Sequence, residues 1–324
     1  MSWFRKKMWL DVEDGWAGWI DTPNSGADAG SEGWGAQGVL LNGGGYSLNS
    51  WGTHKRYTFE WSGASSRESA QFMQSLRQGA YGKGLIHFIE PTLYDTNVLP
   101  ARIAQPSLML DDGGTPMVFG VTPTDVPAPG AVANNLPVRA ARWVLNNTAS
   151  GWRGARESVY ISIPEGYTLA LGAVYTSTGS GGIFVRSNGI DVRLPELPAS
   201  TDNLVSPATI MFNGVRYVRL FVGKSSSGSA SVTATALTGR LIRTRDVFKP
   251  GGVGYGEAPY GALPYGGSEL SKRWDLMAKR PWVGGMGHSG VRFNGTPTMV
   301  HNTGVDGGQV GYAASFIETG AWSR

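Results

Sequence analysis

The sequence predicts a mainly β protein with one short helix, in which a β-rich module drawn from both chain ends carries an inserted β-sandwich of the jelly-roll type. Three observations predict it. Between Pro137 and Val247, short β-forming runs alternate with turn signals, and no segment repeats at helical spacing. Only the stretch after Ser65 has a helix start, an amphipathic run and a stop. The Gly- and Trp-rich character of the first third returns from Trp282 onward, which marks the middle as a separate object.

Taken in order, Trp3 to Val12 alternates well enough for a strand, and Asp14 to Gly52 is rich in Gly, Ser, Asn and Trp with one apolar run, Val39 to Leu41. His54 to Trp61 places Tyr57, Phe59 and Trp61 on one strand face. Ser65 and Glu68 form a capping box ahead of Phe72, Met73 and Leu76 at helical spacing, and Gly79 closes that helix. A second strand, Gly84 to Ile89, follows, so strand, helix and strand fit a right-handed crossover unit, with an antiparallel arrangement as the alternative. Residues 90–113 form an irregular arm broken by Pro91, Pro100 and Pro106.

The Pro/Ala/Gly-rich segment near residues 126–136 reads as a linker separating a module at 1–125 from the sandwich at 137–247. Eight strands are expected there: Arg139–Leu145, Val159–Ile163, Leu169–Tyr175, Ile183–Arg186, Val192–Leu194, Thr209–Phe212, Val215–Val222 and Ser231–Arg243. Asn188-Gly189 and Asn213-Gly214 between β-formers are strong hairpin signals. Residues 248–324 begin with Tyr-Gly-x-x-Pro repeats at Tyr255, Tyr260 and Tyr265, read either as a stiff spacer or as an arm over a neighbouring subunit. Short strands at Gly290–Phe293, Thr298–His301 and Tyr312–Glu318 then return to the first module.

The absence of cysteine excludes disulfides, thiolate metal sites and cysteine nucleophiles. Only 16% of residues are charged, while Gly numbers 48 and Trp 12 of 324. An ordinary domain has roughly 25% charged residues, so this surface is expected to be covered by neighbours. Between Val138 and Arg245 there are 12 Lys/Arg and 5 Asp/Glu, a net of +7, although the whole chain is only +4. The arginines are dispersed among strands, so no specific nucleic-acid binding is expected. No run approaches the roughly 20 apolar residues of a membrane helix, and the start lacks the apolar core of a signal peptide.

His54, His87, His288 and His301 stand at no spacing that builds a metal site on one element, and no cofactor is expected. Gly287-His288-Ser289-Gly290-Val291 departs from a nucleophile elbow at its fifth residue. Asp111-Asp112 lacks the further acids of a calcium loop. The acids Glu157, Glu165, Asp191, Glu196 and Asp202 pick out no catalytic pair, so the chain is not expected to be an enzyme. Aromatic rings near arginines suit glycans, with Trp152 and Arg153 in a loop as the best candidates. Trp143 and Tyr175 are further glycan candidates, although strand residues such as Trp143 and Tyr160 fit a core equally well. Candidate subunit contacts are the loop aromatics Trp16, Trp19, Trp34 and Trp51, the arm residues Tyr94, Asp95 and Asn97, and Tyr255, Tyr260 and Tyr265.

The segment YGKGLIHFIEPTLYDTNVLPARIAQPSL at residues 81–108 resembles the minor tail proteins of long-tailed phages of actinobacteria, in particular the distal tail protein family. GMGHSGVRFNG and the final Phe316-Ile317-Glu318-Thr319-Gly320-Ala321-Trp322 are similar to such proteins as well. The resemblance covers roughly the first 110 and the last 75 residues. It implies a structural virion subunit without catalytic residues, made in the bacterial cytoplasm and placed at the distal tail. Such a subunit forms a homo-oligomeric ring, commonly a hexamer with a trimer as the alternative, and meets the tail tube protein, the tape measure protein and the tail-tip hub. Family members often add an outward β-sandwich, which here would be residues 137–247, with host cell-wall glycan as a further partner. The alternative to a ring subunit is therefore a host-surface adhesin acting through that module.

Overall fold

The structure, a computed structural model, describes residues 7–22, 28–39, 45–61, 67–90, 93, 96–109, 123–131, 136–146, 158–199, 210–247, 285, 287, 290–301 and 310–318. It is mainly β, with three antiparallel sheets. The chain divides into two compact units, one drawing on residues 1–91 and 288–324, the other on 92–111 and 115–287.

The first unit starts with β1 (Lys7–Val12), which turns tightly into β2 (Ala17–Asp21). At that turn Gly15 lies against the backbone of Tyr81, where an added Cβ would meet the carbonyl oxygen at 2.0 Å, so no larger residue fits. β3 (Asp28–Val39) and β4 (Gly45–Trp61) form a long hairpin. Helix α1 (Arg67–Arg77) follows, with Met73 and Leu76 buried and Arg77 complementing the negative end of its dipole. Gly79 adopts φ of 79°, and the N–H groups of Gly79 and Ala80 bond back to Leu76 and Ser75, so the helix ends in a Schellman motif. The chain then enters β5 (Ile86–Ile89).

The second unit begins with the arm, which forms a single helical turn α2 (Ala101–Ala104) and a 3-10 turn over Pro106–Met109. Next comes β6 (Thr124–Pro127), an edge strand paired to β7 (Arg139–Leu145). Seven strands complete the set: β8 (Val159–Ser162), β9 (Tyr167–Thr178), β10 (Gly181–Ser187), β11 (Ile190–Arg193), β12 (Ile210–Phe212), β13 (Tyr217–Lys224) and β14 (Ala230–Arg243). All eight expected strands are present. Their pairings are nested: β7 with β14, β8 with β13, β9 with β12 and β10 with β11. The β9–β14 and β10–β13 pairs then close this folded ribbon into two sheets, β12-β9-β14-β7-β6 and β11-β10-β13-β8. That is jelly-roll topology.

Between the sheets lie Trp143, Leu171, Tyr175 and Val232 from one side and Ile183, Val185, Leu220 and Val222 from the other. Asn188 and Gly189, at φ of 49° and 78°, make the two-residue turn joining β10 and β11, as Asn-Gly requires. Asn213-Gly214 does not close a hairpin, because β12 and β13 belong to different sheets. Lys224 is 2% exposed, and its Nζ donates to the carbonyl oxygens of Asn146 and Gly228 at 3.1 and 2.6 Å, tying two strand ends together.

Two boundaries differ from the sequence expectation. The arm belongs with the jelly roll, since Val98, Asn97 and Leu99 continue the sheet beside β14 where β7 ends. The linker is also part of that unit, because Ala128, Ala131 and Leu136 pack with Ala140, Val174 and Ala236 on the outer face of the five-stranded sheet. Beyond the arm, Gly285 and Gly287 run so close that a Cβ on either would lie within 2 Å of the carbonyl oxygen of Leu99 or Val98.

The chain then re-enters the first unit as β15 (Val291–Phe293), β16 (Thr298–His301) and β17 (Val310–Glu318). The sheet runs β2-β1-β5-β15-β17-β4-β3, with β16 also on β17. β4 and β5 are three steps apart and antiparallel, so strand, helix and strand do not form a parallel crossover unit. The core face carries Leu10, Phe59, Phe88 and Phe316 together with Met73 and Leu76 of α1. Trp61 stacks on Tyr312 at 4.5 Å, and its Nε1 donates to the carbonyl oxygen of Asp21 at 2.9 Å. A flat sheet would put β2 and β4 about 24 Å apart at about 4.8 Å per step. The bond therefore requires a sheet curled strongly around α1.

Two outcomes follow from these contacts. Asn97→Ala leaves Leu237 and Gly239 without their partners and is expected to lower stability by about 2–4 kcal/mol, read from urea denaturation. Burial, then the charges of Glu318 and Glu90 for Tyr57 and of Asp21 for Tyr312, hold both phenols well above their ordinary value near 10. The folded state keeps these protons while the unfolded chain loses them. Their contribution is thus complete below about pH 10 and is lost as pH rises beyond it. Of the twelve tyrosines, these two should ionise only with loss of the native circular dichroism, so an alkaline titration should show a further rise in tyrosinate absorbance at that transition.

Candidate functional site

The outward face of the four-stranded sheet concentrates aromatic and charged groups in the jelly-roll unit. Along β13, Val218, Leu220 and Val222 point into the sandwich, so Tyr217, Arg219 and Phe221 point away from it. In the antiparallel register Arg219 lies opposite Arg186 of β10 on one side and Tyr160 of β8 on the other, while Asp191 of β11 lies opposite Arg186. One row thus crosses four strands as Asp191, Arg186, Arg219 and Tyr160.

The Tyr160 and Tyr217 rings stack at 4.6 Å with 21° between planes. The Arg219 guanidinium sits 5.3 Å from the first ring centroid and 5.8 Å from the second, and reaches Ser158 Oγ at 3.4 Å. Arg186 donates two bonds of 2.7 Å to Asp191, which keep its guanidinium charged, and lies 5.5 Å above Phe221. Two like charges directly opposite each other oppose strand pairing. The Asp191 carboxylate and the Tyr rings are what offset that repulsion here.

The sequence-predicted glycan residues fare differently. Trp143 is fully buried at 0% exposure, and Tyr175 is 1% exposed with its hydroxyl donating to the Leu194 carbonyl oxygen. Both face the sandwich interior, because their strand parity matches that of Val232 and Ala234, and neither ring has a face to offer a sugar. Burial raises the Tyr175 phenol above its ordinary value, which keeps it a neutral donor. Trp152 and Arg153 lie outside the described residues.

Among the contact candidates, Trp16 packs inside its own unit against Phe72 at 4.8 Å and Tyr81 at 6.0 Å, and Trp19 meets Trp9 edge-on at 5.2 Å on the strand pair β1–β2. Asn97 is corrected from a subunit contact to an internal clamp. It is 3% exposed, its Nδ2 donates to Leu237, and its Oδ1 accepts from Gly239 and Leu99. Trp34 and Trp51 lie on β3 and β4, with side chains outside the described set, as are Tyr94, Asp95, Tyr255, Tyr260 and Tyr265. The sequence reading missed Arg186, Arg219 and Tyr217. Alternation along Tyr217 to Val222 signalled which residues face outward, but only cross-strand register sets the two arginines side by side.

The first unit offers a separate cluster, in which His87 Nε2 lies 2.8 Å from Glu13 Oε1 and Asp11, fully buried, is the register partner of His87. Among the described residues no group of three His, Asp or Glu side chains has metal-binding geometry, and no helix is long and apolar enough to cross a membrane. No protein-family model matches the chain, and no curated protein matches it.

Asp191→Asn is expected to leave the opposed guanidiniums without their carboxylate and to lower stability by about 1 kcal/mol in this partly exposed setting. High salt should reduce the loss, which parallel urea titrations at low and high ionic strength will measure.

Proposed function

We propose that the chain is a structural subunit of a ring at the distal end of a long-tailed phage tail, joining the tail tube to the tip hub, without catalytic activity of its own. The observation that carries this reading is the β3–β4 hairpin. β17 pairs with β4 only from Arg56 to Trp61, and the outer half of the hairpin, Gly35–Val39 with Gly45–Asn49, pairs with no third strand among the described residues. An isolated two-stranded ribbon is marginal in water. Exposed strand edges ordinarily carry charges that block further pairing, yet residues 33–53 contain no Asp, Glu, Lys or Arg. Such a ribbon is completed by an edge or face of another copy, and copies joined in this head-to-tail manner close into a ring when the rotation permits.

The arm sequence and C-terminal segments resembling distal tail proteins support the same reading, as does the low charge of the whole chain. The ring reading also explains an interrupted module: a unit built from both chain ends leaves the intervening jelly roll free to vary in role.

Sedimentation of the full chain at several concentrations should give a multiple of 34.5 kDa, with six copies expected. Val39→Lys combined with Leu48→Lys charges both faces of the ribbon, because Leu48 pairs with Ala36 and Val39 lies three residues further on. This variant should sediment as a monomer with an unchanged far-ultraviolet spectrum. A wild-type chain that stays monomeric at high concentration would overturn the self-assembling ring.

A further inference from the structure

We infer that the aromatic triad Trp16, Phe72 and Tyr81 of the first unit is a docking site for an extended, proline-containing segment, and that its occupant is the Tyr-Gly-x-x-Pro stretch 254–267 of a neighbouring copy. This deepens the assembly reading and rests on it, adding a second contact apart from the β3–β4 ribbon. Trp16 and Phe72 meet at 4.8 Å, Phe72 and Tyr81 at 4.7 Å and Trp16 and Tyr81 at 6.0 Å, with 63°, 47° and 59° between their planes. All three rings pack on the core from one side and are half-buried. Their positions are fixed, because the Trp16 N–H donates to the Tyr81 carbonyl oxygen at 2.8 Å and the indole lies on Gly18, where an added Cβ would meet it at 2.4 Å. Tilted rings held in this way form the kind of aromatic-lined surface that receives prolines of an extended helix.

The chain itself supplies a fitting ligand. Residues 251–268 hold Pro259 and Pro264 at a spacing of five and a single charged residue, Glu257. Prolines pre-set an extended conformation, so docking such a segment costs little ordering entropy. The exposed Lys83, whose stem lies against Gly79 and which follows Tyr81 by two residues, complements Glu257. The segment also has the length to reach another copy. It leaves the second unit after Val247, and by Gly285 the chain is back against Leu99, which packs on Gly239 of β14. Both anchors thus lie near one end of β14, whereas connections in compact domains typically need about 4–6 residues. At about 3.1 Å per residue, half of the 37 residues from 248 to 284 can reach roughly 55 Å before turning back.

The full-length chain has no cysteine, so introduced thiols report the contact. Lys83→Cys and Glu257→Cys chains are co-expressed, so that both enter the same assembly, and treated at high concentration with a short bismaleimide. A cross-linked species of twice the 34.5 kDa chain mass is expected, several-fold more abundant than with either variant alone. Glu257→Cys co-expressed with Arg142→Cys, an exposed jelly-roll position, should give only that background. Pro259→Ala with Pro264→Ala in the Glu257→Cys chain should lower the yield several-fold, as should Trp16→Ala in the Lys83→Cys chain. If Trp16→Ala lowers the thermal midpoint, the proline substitutions decide, because they lie outside the triad. A chain carrying both cysteines that cross-links only within itself, an equal yield with Arg142→Cys, an unchanged yield after the proline substitutions, or no cross-link at all would each overturn the docking. Where sedimentation shows a multimer and the cross-link is absent, the docking alone fails; a monomer without the cross-link overturns the ring as well.

Discussion

The placement of β17 inside the first sheet is the constraint on which the rest of the structure depends. It pairs with β4 along one side and with β15 and β16 along the other, so the N-terminal strands have no complete core until the last described strand arrives. Tyr312, Ala314 and Phe316 supply the middle of that core, and Phe316 lies within ring contact of Phe59, Phe88 and Phe293. Pairing across so long a separation carries a loop-closure cost that grows only slowly with length. What lies between can therefore be a whole domain, provided that it returns the chain.

A jelly roll meets that condition by its topology. Its first and last strands, β7 and β14, are antiparallel neighbours, so Arg139, where the chain enters, and Arg243, where it leaves, lie at the same end of the sandwich. The same end needs a seal, because β14 continues past the point where β7 stops. Asn97 provides it with one carboxamide acting as a peptide group, donating to Leu237 and accepting from Gly239. The arm then covers the edge, and Gly285 and Gly287 approach it at distances that no side chain permits. Unpaired backbone groups at a buried edge are costly, so the arm is bound to the jelly roll by the same requirement that holds a sheet together.

Charge is distributed to match the two units. Many Gly and Trp residues characterise the composite module, where the outer half of the β3–β4 ribbon, residues 33–53, extends beyond the curled sheet without a charged residue to discourage pairing. The jelly roll instead carries the positive excess and arranges two of its arginines against each other on one face. Like charges are not placed in direct register without a compensating interaction, and the Asp191 pair and Tyr stack supply it.

Local patterns in the sequence were enough to identify the eight jelly-roll strands, the Asn188-Gly189 turn and the helix ended by Gly79, because alternation, helical spacing and positive φ are set by a few neighbouring residues, while the expected capping box at Ser65 lies outside the described residues. The return of the chain to its first module was likewise legible from composition. Tertiary structure alone decided the rest. β4 and β5 became antiparallel strands separated by two others, since β15 and β17 intervene from the far end of the chain. Trp143 and Tyr175 were drawn inward and Asn97 was enclosed because burial depends on which face a distant partner covers. The opposition of Arg186 and Arg219 is a product of register between β10 and β13, strands more than thirty residues apart. A strand's sequence specifies its two faces, but its neighbours in space determine what each face meets, and those neighbours are chosen by the energy of the whole packed core.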